Sequence, residues 1–333
     1  MTERIAILGA GAWGTALAQV LCRPGRRIVL QAHNPRVANA ITREHTNSAY
    51  LPGIPLEGIE AVAEPTEAVG VARVVVLAAP AQHLRETLRR AAPSWPQGAP
   101  AVICAKGLEQ KTCALMSEVA EQTLPAIPVA VLTGPSFAIE VARGLPTAIT
   151  LACADPEWRE ALPAELWTPN LRIYSTDDVR GAQLGGATKN VIAIACGIVE
   201  GKAFGDNARA ALITRGLAEI VRFAVAYGAR PETLIGLSGL GDLVLTCNAM
   251  QSRNFSLGVA LGRGRPLAQV QGERTTVAEG VHTAAVVVDM ARRARLDMPI
   301  CMAVDAVLNG GADLDEAIAA LLARPLKAEA FSA

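Results

Sequence analysis

The run Gly9-Ala10-Gly11-Ala12-Trp13-Gly14 limits what this chain can fold into more than any other stretch. It is a G-x-G-x-x-G pattern in the setting that pattern requires. Arg4-Ile5-Ala6-Ile7-Leu8 before it reads as a buried strand, and Thr15-Ala16-Leu17-Ala18-Gln19-Val20-Leu21 after it continues as a helix. In that setting Gly9 permits the tight turn, Gly11 lets a pyrophosphate approach the main chain, and Gly14 lets helix and strand pack closely. The helix N-terminus then offers unpaired N–H groups and a positive dipole end to the phosphates. A glycine-rich turn without a ligand is the plainer alternative, but the flanking elements favour dinucleotide binding.

The same alternation continues. Arg27–Gln31, Val74–Ala78, Ala101–Cys104, Val129–Leu132 and Leu171–Ser175 read as further strands. Strand and helix alternating in this way imply a doubly wound parallel sheet of the Rossmann type, whose ligands sit beyond the carboxyl ends of the strands. Pro80, Lys106 and Ser136 follow three of those ends and so fall on the functional rim. After about Val179 the chain becomes helix-like and rich in alanine and leucine. The expected division is a dinucleotide-binding domain over 1–180 and a mainly α-helical substrate and catalytic domain over 181–333.

The second strand ends at Ala32-His33-Asn34-Pro35-Arg36. NAD-selective sites place an Asp or Glu there to bond the ribose 2′-hydroxyl. With none present, His33 and Arg36 are candidates for a 2′-phosphate, although Arg36 also suits an ordinary solvated position. NADP(H) is slightly favoured over NAD(H).

Composition removes other classes. Thirty-one basic and 31 acidic residues give zero net charge, and no basic cluster appears, so nucleic acid is not an expected partner. Seven scattered cysteines with no C-x-x-C point to a reducing, cytoplasmic compartment and to no metal site. No apolar run approaches the roughly 20 residues of a bilayer span, and no signal-peptide h-region precedes the first strand.

The helical half carries three polar interruptions. Lys189-Asn190 precedes six apolar residues, Val191–Cys196. An ammonium in such a run either snorkels to water or needs a partner. Asp242 sits among glycines in Leu237-Ser238-Gly239-Leu240-Gly241-Asp242-Leu243, where a helix cap is the simpler reading. Gln251-Ser252-Arg253-Asn254 sets a hydroxyl, a guanidinium and an amide side by side, a polar turn or an anion clamp. Together they supply a lysine, a carboxylate and a phosphate grip alongside a dinucleotide domain.

With these motifs in place, the chain resembles the bacterial NAD(P)-dependent glycerol-3-phosphate dehydrogenase family. The resemblance rests on Gly9–Ala16, Ala105–Glu109, Leu132–Ala138, Gln183–Asn190, Asn207–Gly216, Gly239–Leu243, Gln251–Asn254 and Val277–Gly280, in the family's order. It implies interconversion of dihydroxyacetone phosphate and sn-glycerol 3-phosphate for phospholipid synthesis. It implies that Ala12, Trp13 and His33 contact the cofactor, with Ala138, Val277 and Glu279 nearer its nicotinamide. Lys106, Gly134 and Ser136 would touch the substrate, Lys106 also reaching the cofactor. Lys189 would be the catalytic acid/base. Asp242, Ser252, Arg253 and Asn254 would hold the substrate, Arg253 also contacting the cofactor. A homodimer is expected. One departure matters: the family often has arginine where this chain has His33-Asn34, which leaves the cofactor preference open.

The chemistry accounts for the lysine. As hydride reaches a ketone carbon, charge develops on the oxygen, and a positioned ammonium stabilises it and donates the proton. A free lysine titrates near pH ~10.4. Burial and Lys106 are expected to lower that value, and Asp242 to oppose the shift and orient the group. The alternatives are a β-hydroxy acid dehydrogenase of the same architecture, or a non-catalytic dinucleotide sensor, which would have no reason to keep Lys189 with Asp242.

Overall fold

A computed structural model describes residues 3–273 and 278–325, so the assignment of Val277 lies outside the described residues. Eight strands make one sheet: β1 (Glu3–Leu8), β2 (Arg26–Gln31), β3 (Ile59–Val62), β4 (Val74–Leu77), β5 (Ala101–Ile103), β6 (Val129–Thr133), β7 (Thr147–Cys153) and β8 (Leu171–Thr176). Their order is β3-β2-β1-β4-β5-β6-β7-β8. The first six follow the Rossmann order, and the reversal beside β1 is the point at which such sheets bind ligands. Every pairing is parallel except β6 with β7, which is antiparallel. An all-parallel sheet therefore describes β1–β6 and not the β6–β7 pairing. All four residues of β4 are buried, as expected for a central strand covered on both faces.

The chain divides into two compact units. The first comprises Met1–Lys106 and Ala114–Val179 and contains the sheet; the second comprises Gly107–Cys113 and Arg180–Ala333. The short segment Gly107–Cys113 thus leaves the sheet unit, which a single cut along the chain does not provide for.

The second unit is helical and is built around helix Val179–Gly201. This helix corrects the expectation that no apolar stretch approaches membrane-spanning length. Its 23 residues are long and apolar enough by composition alone, yet 94% of its most apolar window is buried in the folded chain. A helix apolar on all sides belongs either in a membrane or in a core, and here it lies in the core. Glycines let a neighbour close upon it. A Cβ on Gly197 would stand 2.1 Å from the Phe255 carbonyl oxygen, and one on Gly258 2.1 Å from that of Ile194. Helix Arg253–Gly262 can therefore pack backbone to backbone against it.

Candidate active site

The sheet unit presents a site made largely of main chain. Gly9 follows β1 with φ +111°, and a Cβ there would stand 2.7 Å from the Ala79 amide nitrogen. A Cβ on Gly14 would stand 2.0 Å from the Gly9 carbonyl oxygen, whereas Gly11 has nothing within 4 Å of that position. Two glycines thus make the turn close on itself, and the third leaves space where an anion would approach. Gly11 also N-caps helix Ala12–Leu21, and no side chain supplies the cap. The turn and the uncapped helix start fit the pyrophosphate of a dinucleotide.

Ala12 and Trp13 occupy the first turn of that helix, half-buried. Burial pushes the pKa of the Cys104 thiol up to about 12, against the smaller lowering effects of Trp13 and Lys106. His33 is exposed just past β2. The Asn34 side chain accepts from the Arg36 N–H at 2.9 Å and caps helix Pro35–Asn39. At the ends of β5 and β6, three of the expected substrate residues meet. Lys106 Nζ and Ser136 Oγ each donate to the Gly134 carbonyl oxygen at 3.0 Å. Ala138 opens the next helix, Ala138–Ala142.

The helical unit presents a site made of side chains. Lys189 is 5% exposed and Asp242 1%. Lys189 Nζ donates to Asp242 Oδ1 at 2.6 Å and to Thr246 Oγ1 at 2.7 Å. The Thr246 hydroxyl in turn donates to the Asp242 carbonyl oxygen at 2.6 Å. The lysine therefore does not snorkel; it is paired and held from two sides. Asp242 reaches it because a π-helical turn, Leu237–Gly241, leads into helix Asp242–Cys247. Sequence reasoning missed Thr246, although it lies four residues from Asp242 and so on the same helix face.

The remaining polar residues divide into those with inward and those with outward roles. Asn254 Nδ2 donates to Asn190 Oδ1 at 2.9 Å, while its own oxygen accepts from the Gly280 N–H at 3.0 Å. Ser252 N-caps helix Arg253–Gly262, accepting from the Phe255 N–H at 3.2 Å. Arg253, the first residue of that helix, is exposed. Glu279 is half-buried directly before helix Gly280–Arg293. A buried ammonium held by a carboxylate and a hydroxyl is suited to proton exchange with a carbonyl oxygen. An exposed guanidinium at a helix start is suited to a phosphate.

Comparison with known proteins gives a consistent result. Residues 4–159 match the N-terminal model, and residues 178–319 the C-terminal model, of NAD-dependent glycerol-3-phosphate dehydrogenase. The chain is 58% identical to glycerol-3-phosphate dehydrogenase [NAD(P)+] of Rhodospirillum rubrum, covering 99% of this chain and 95% of that one. The relative of the same name in Caulobacter vibrioides is 53% identical, with 98% and 99% covered. The crystal structure of glycerol-3-phosphate dehydrogenase from Coxiella burnetii superimposes with a TM-score of 0.93 at 38% identity, covering 97% and 99% of the two chains.

Proposed function

The chain belongs to the NAD-dependent glycerol-3-phosphate dehydrogenase family, and from that premise we propose that it interconverts dihydroxyacetone phosphate and sn-glycerol 3-phosphate for glycerophospholipid synthesis. It is an NAD(P)-dependent oxidoreductase. The buried Lys189–Asp242 pair at 2.6 Å is the observation that carries the mechanism.

A bound reduced nicotinamide supplies the hydride. Lys189 gives its proton to the carbonyl oxygen that becomes the alkoxide, and takes one back in the reverse direction. Asp242 and Thr246 fix the ammonium, so its position costs no reorganisation at the moment of reaction. Arg253, Ser252 and Asn254 hold the substrate phosphate end, and Lys106, Gly134 and Ser136 complete the substrate contacts. Gly9, Gly11, Ala12, Trp13 and Gly14 hold the dinucleotide, together with His33, Ala138 and Glu279, and with Lys106 and Arg253 shared between both ligands. In this reading residues 1–180 are the dinucleotide-binding domain and 181–333 the substrate and catalytic domain. NADP(H) is used at least as well as NAD(H), since no acid follows β2.

The protein acts in the cytoplasm as a homodimer. All seven cysteines are free thiols, which suits a reducing compartment. Phe204, 48% exposed, and Leu322, 81% exposed, give the helical unit apolar surface for self-association. One spectrophotometric assay tests the function: NADPH and NADH, each with dihydroxyacetone phosphate. Oxidation of neither cofactor sinks the reading.

A further inference from the structure

Asn47 lies in the loop between the π-helical turn Ala40–Glu44 and β3, far along the chain from the glycine turn, and yet it is bonded to that turn. It is 2% exposed. Its Nδ2 donates to the Ala10 carbonyl oxygen at 2.9 Å and to Thr15 Oγ1 at 2.8 Å. The Thr15 hydroxyl donates to the same Ala10 oxygen at 3.4 Å, closing a triangle. Asn47 is itself fixed, because its carbonyl oxygen accepts from the Tyr50 N–H at 3.2 Å and the Leu51 N–H at 2.8 Å. Its side-chain oxygen is buried with no partner among the described residues. An unpaired buried acceptor is destabilising, and an apolar side chain would avoid that cost. The two donors therefore explain this residue better than packing does.

The triangle has a geometric consequence. A trans peptide is planar, so its C=O and N–H point in opposite directions. Holding the Ala10 oxygen toward Asn47 turns the Gly11 N–H away from it. Gly11 is the residue with open space around it and the N-cap of helix Ala12–Leu21. From this juxtaposition we infer that Asn47 is a positioning residue for the cofactor pyrophosphate: its amide, with Thr15, locks the Ala10–Gly11 peptide so that the Gly11 N–H is aimed at the anion. The inference rests on reading the glycine turn as the pyrophosphate site.

The test is calorimetric binding of ADP-ribose, which carries the pyrophosphate without the nicotinamide, to the full-length protein. Asn47→Ala is expected to weaken ADP-ribose about tenfold, the order of one hydrogen bond from the Gly11 N–H to the phosphate that is no longer well aimed. In turnover it is expected to raise KM for NADPH by a similar factor and to leave kcat at saturation within about twofold, the pattern of lost uniform binding. Thr15→Val probes the same triangle without touching Asn47 and is expected to weaken ADP-ribose, while Thr15→Ser, which keeps the hydroxyl, restores wild-type affinity. The double variant Asn47→Ala with Thr15→Val is expected to lose less affinity than the two single losses combined, because both remove one shared lock, and fully additive losses would overturn it. Unchanged ADP-ribose affinity in Asn47→Ala and Thr15→Val overturns the inference and leaves the dinucleotide reading standing. Wild-type protein that does not bind ADP-ribose overturns both.

Discussion

The turn after β1 and the cluster around Lys189 solve different problems with different materials. The turn is made of main chain: glycines chosen for what they lack, and a helix start left uncapped. The cluster is made of side chains: an ammonium, a carboxylate and a hydroxyl, all buried, from two helices. A cofactor that is gripped through its phosphates needs N–H groups at a fixed spacing, which a short contiguous motif can supply. A proton donor needs one charged atom fixed in a water-poor interior, which only groups from distant parts of the chain can hold. The first site should therefore govern binding and the second should govern turnover.

The largest effect expected from breaking this division comes from Asp242→Ala. It leaves the Lys189 ammonium buried without its carboxylate, and removing one partner of a buried pair costs about 3–5 kcal/mol. Denaturant unfolding should show that loss, with turnover falling alongside it. An unaltered midpoint would mean that the pair is not buried in solution.

Next in size, Glu219 sharpens the contrast within the helical unit, since it is a buried carboxylate held chiefly by main-chain N–H groups, with the charge of Arg222 a lesser influence. It is 3% exposed and accepts from the Ile300 and Cys301 N–H groups at 2.7 and 3.1 Å, at the start of helix Pro299–Leu308. Burial pushes its pKa up to about 7, against the lowering effect of those N–H groups. Between the ordinary value of 4.5 and about 7, the folded state holds a proton that the unfolded chain has released. Stability contributed by this group is therefore lost as pH rises through that window. Relative to Glu219→Gln, the wild type should lose roughly 3 kcal/mol across it. Parallel stability curves for the two proteins would contradict the assignment.

Arg253→Ala should raise KM for dihydroxyacetone phosphate about ten- to a hundredfold, from loss of a charge-assisted phosphate contact. Its KM for NADPH should rise less. An unchanged substrate KM would place the phosphate grip elsewhere.

The smallest shift is in cofactor choice. Asn34→Asp keeps an acceptor for the Arg36 N–H and so keeps the helix cap. The new carboxylate should move the ratio of kcat/KM values toward NADH by about three- to tenfold, by repelling a 2′-phosphate at an exposed site. A wild type strongly selective for NADH would overturn the argument from the missing acid.

The two regions also differed in how far the sequence revealed them. Gly9, Gly11 and Gly14 were legible because their spacing is itself the physical requirement. Lys189 was legible as an anomaly in an apolar run, and the paired state rather than snorkelling emerged only with the fold. Thr246 carried a weak signal, its four-residue spacing from Asp242. Asn47 carried none, because a polar residue in a loop gives no sign of which distant carbonyl it will reach. Among the strands, β3 was hidden by its four-residue length and by Glu60 within it. β7 was hidden because an apolar run after a short helix does not reveal antiparallel pairing with β6.

One pair of measurements on one sample bears most directly on the division between binding and chemistry: kcat and the NADPH dissociation constant of folded Lys189→Ala. Loss of a general acid/base is expected to lower kcat by about 10²–10⁴-fold while NADPH affinity stays near wild type. A variant that keeps more than about a tenth of kcat would show that Lys189 is not the proton donor. A variant that loses NADPH binding as severely as turnover would show that the two sites do not have the separate roles assigned to them.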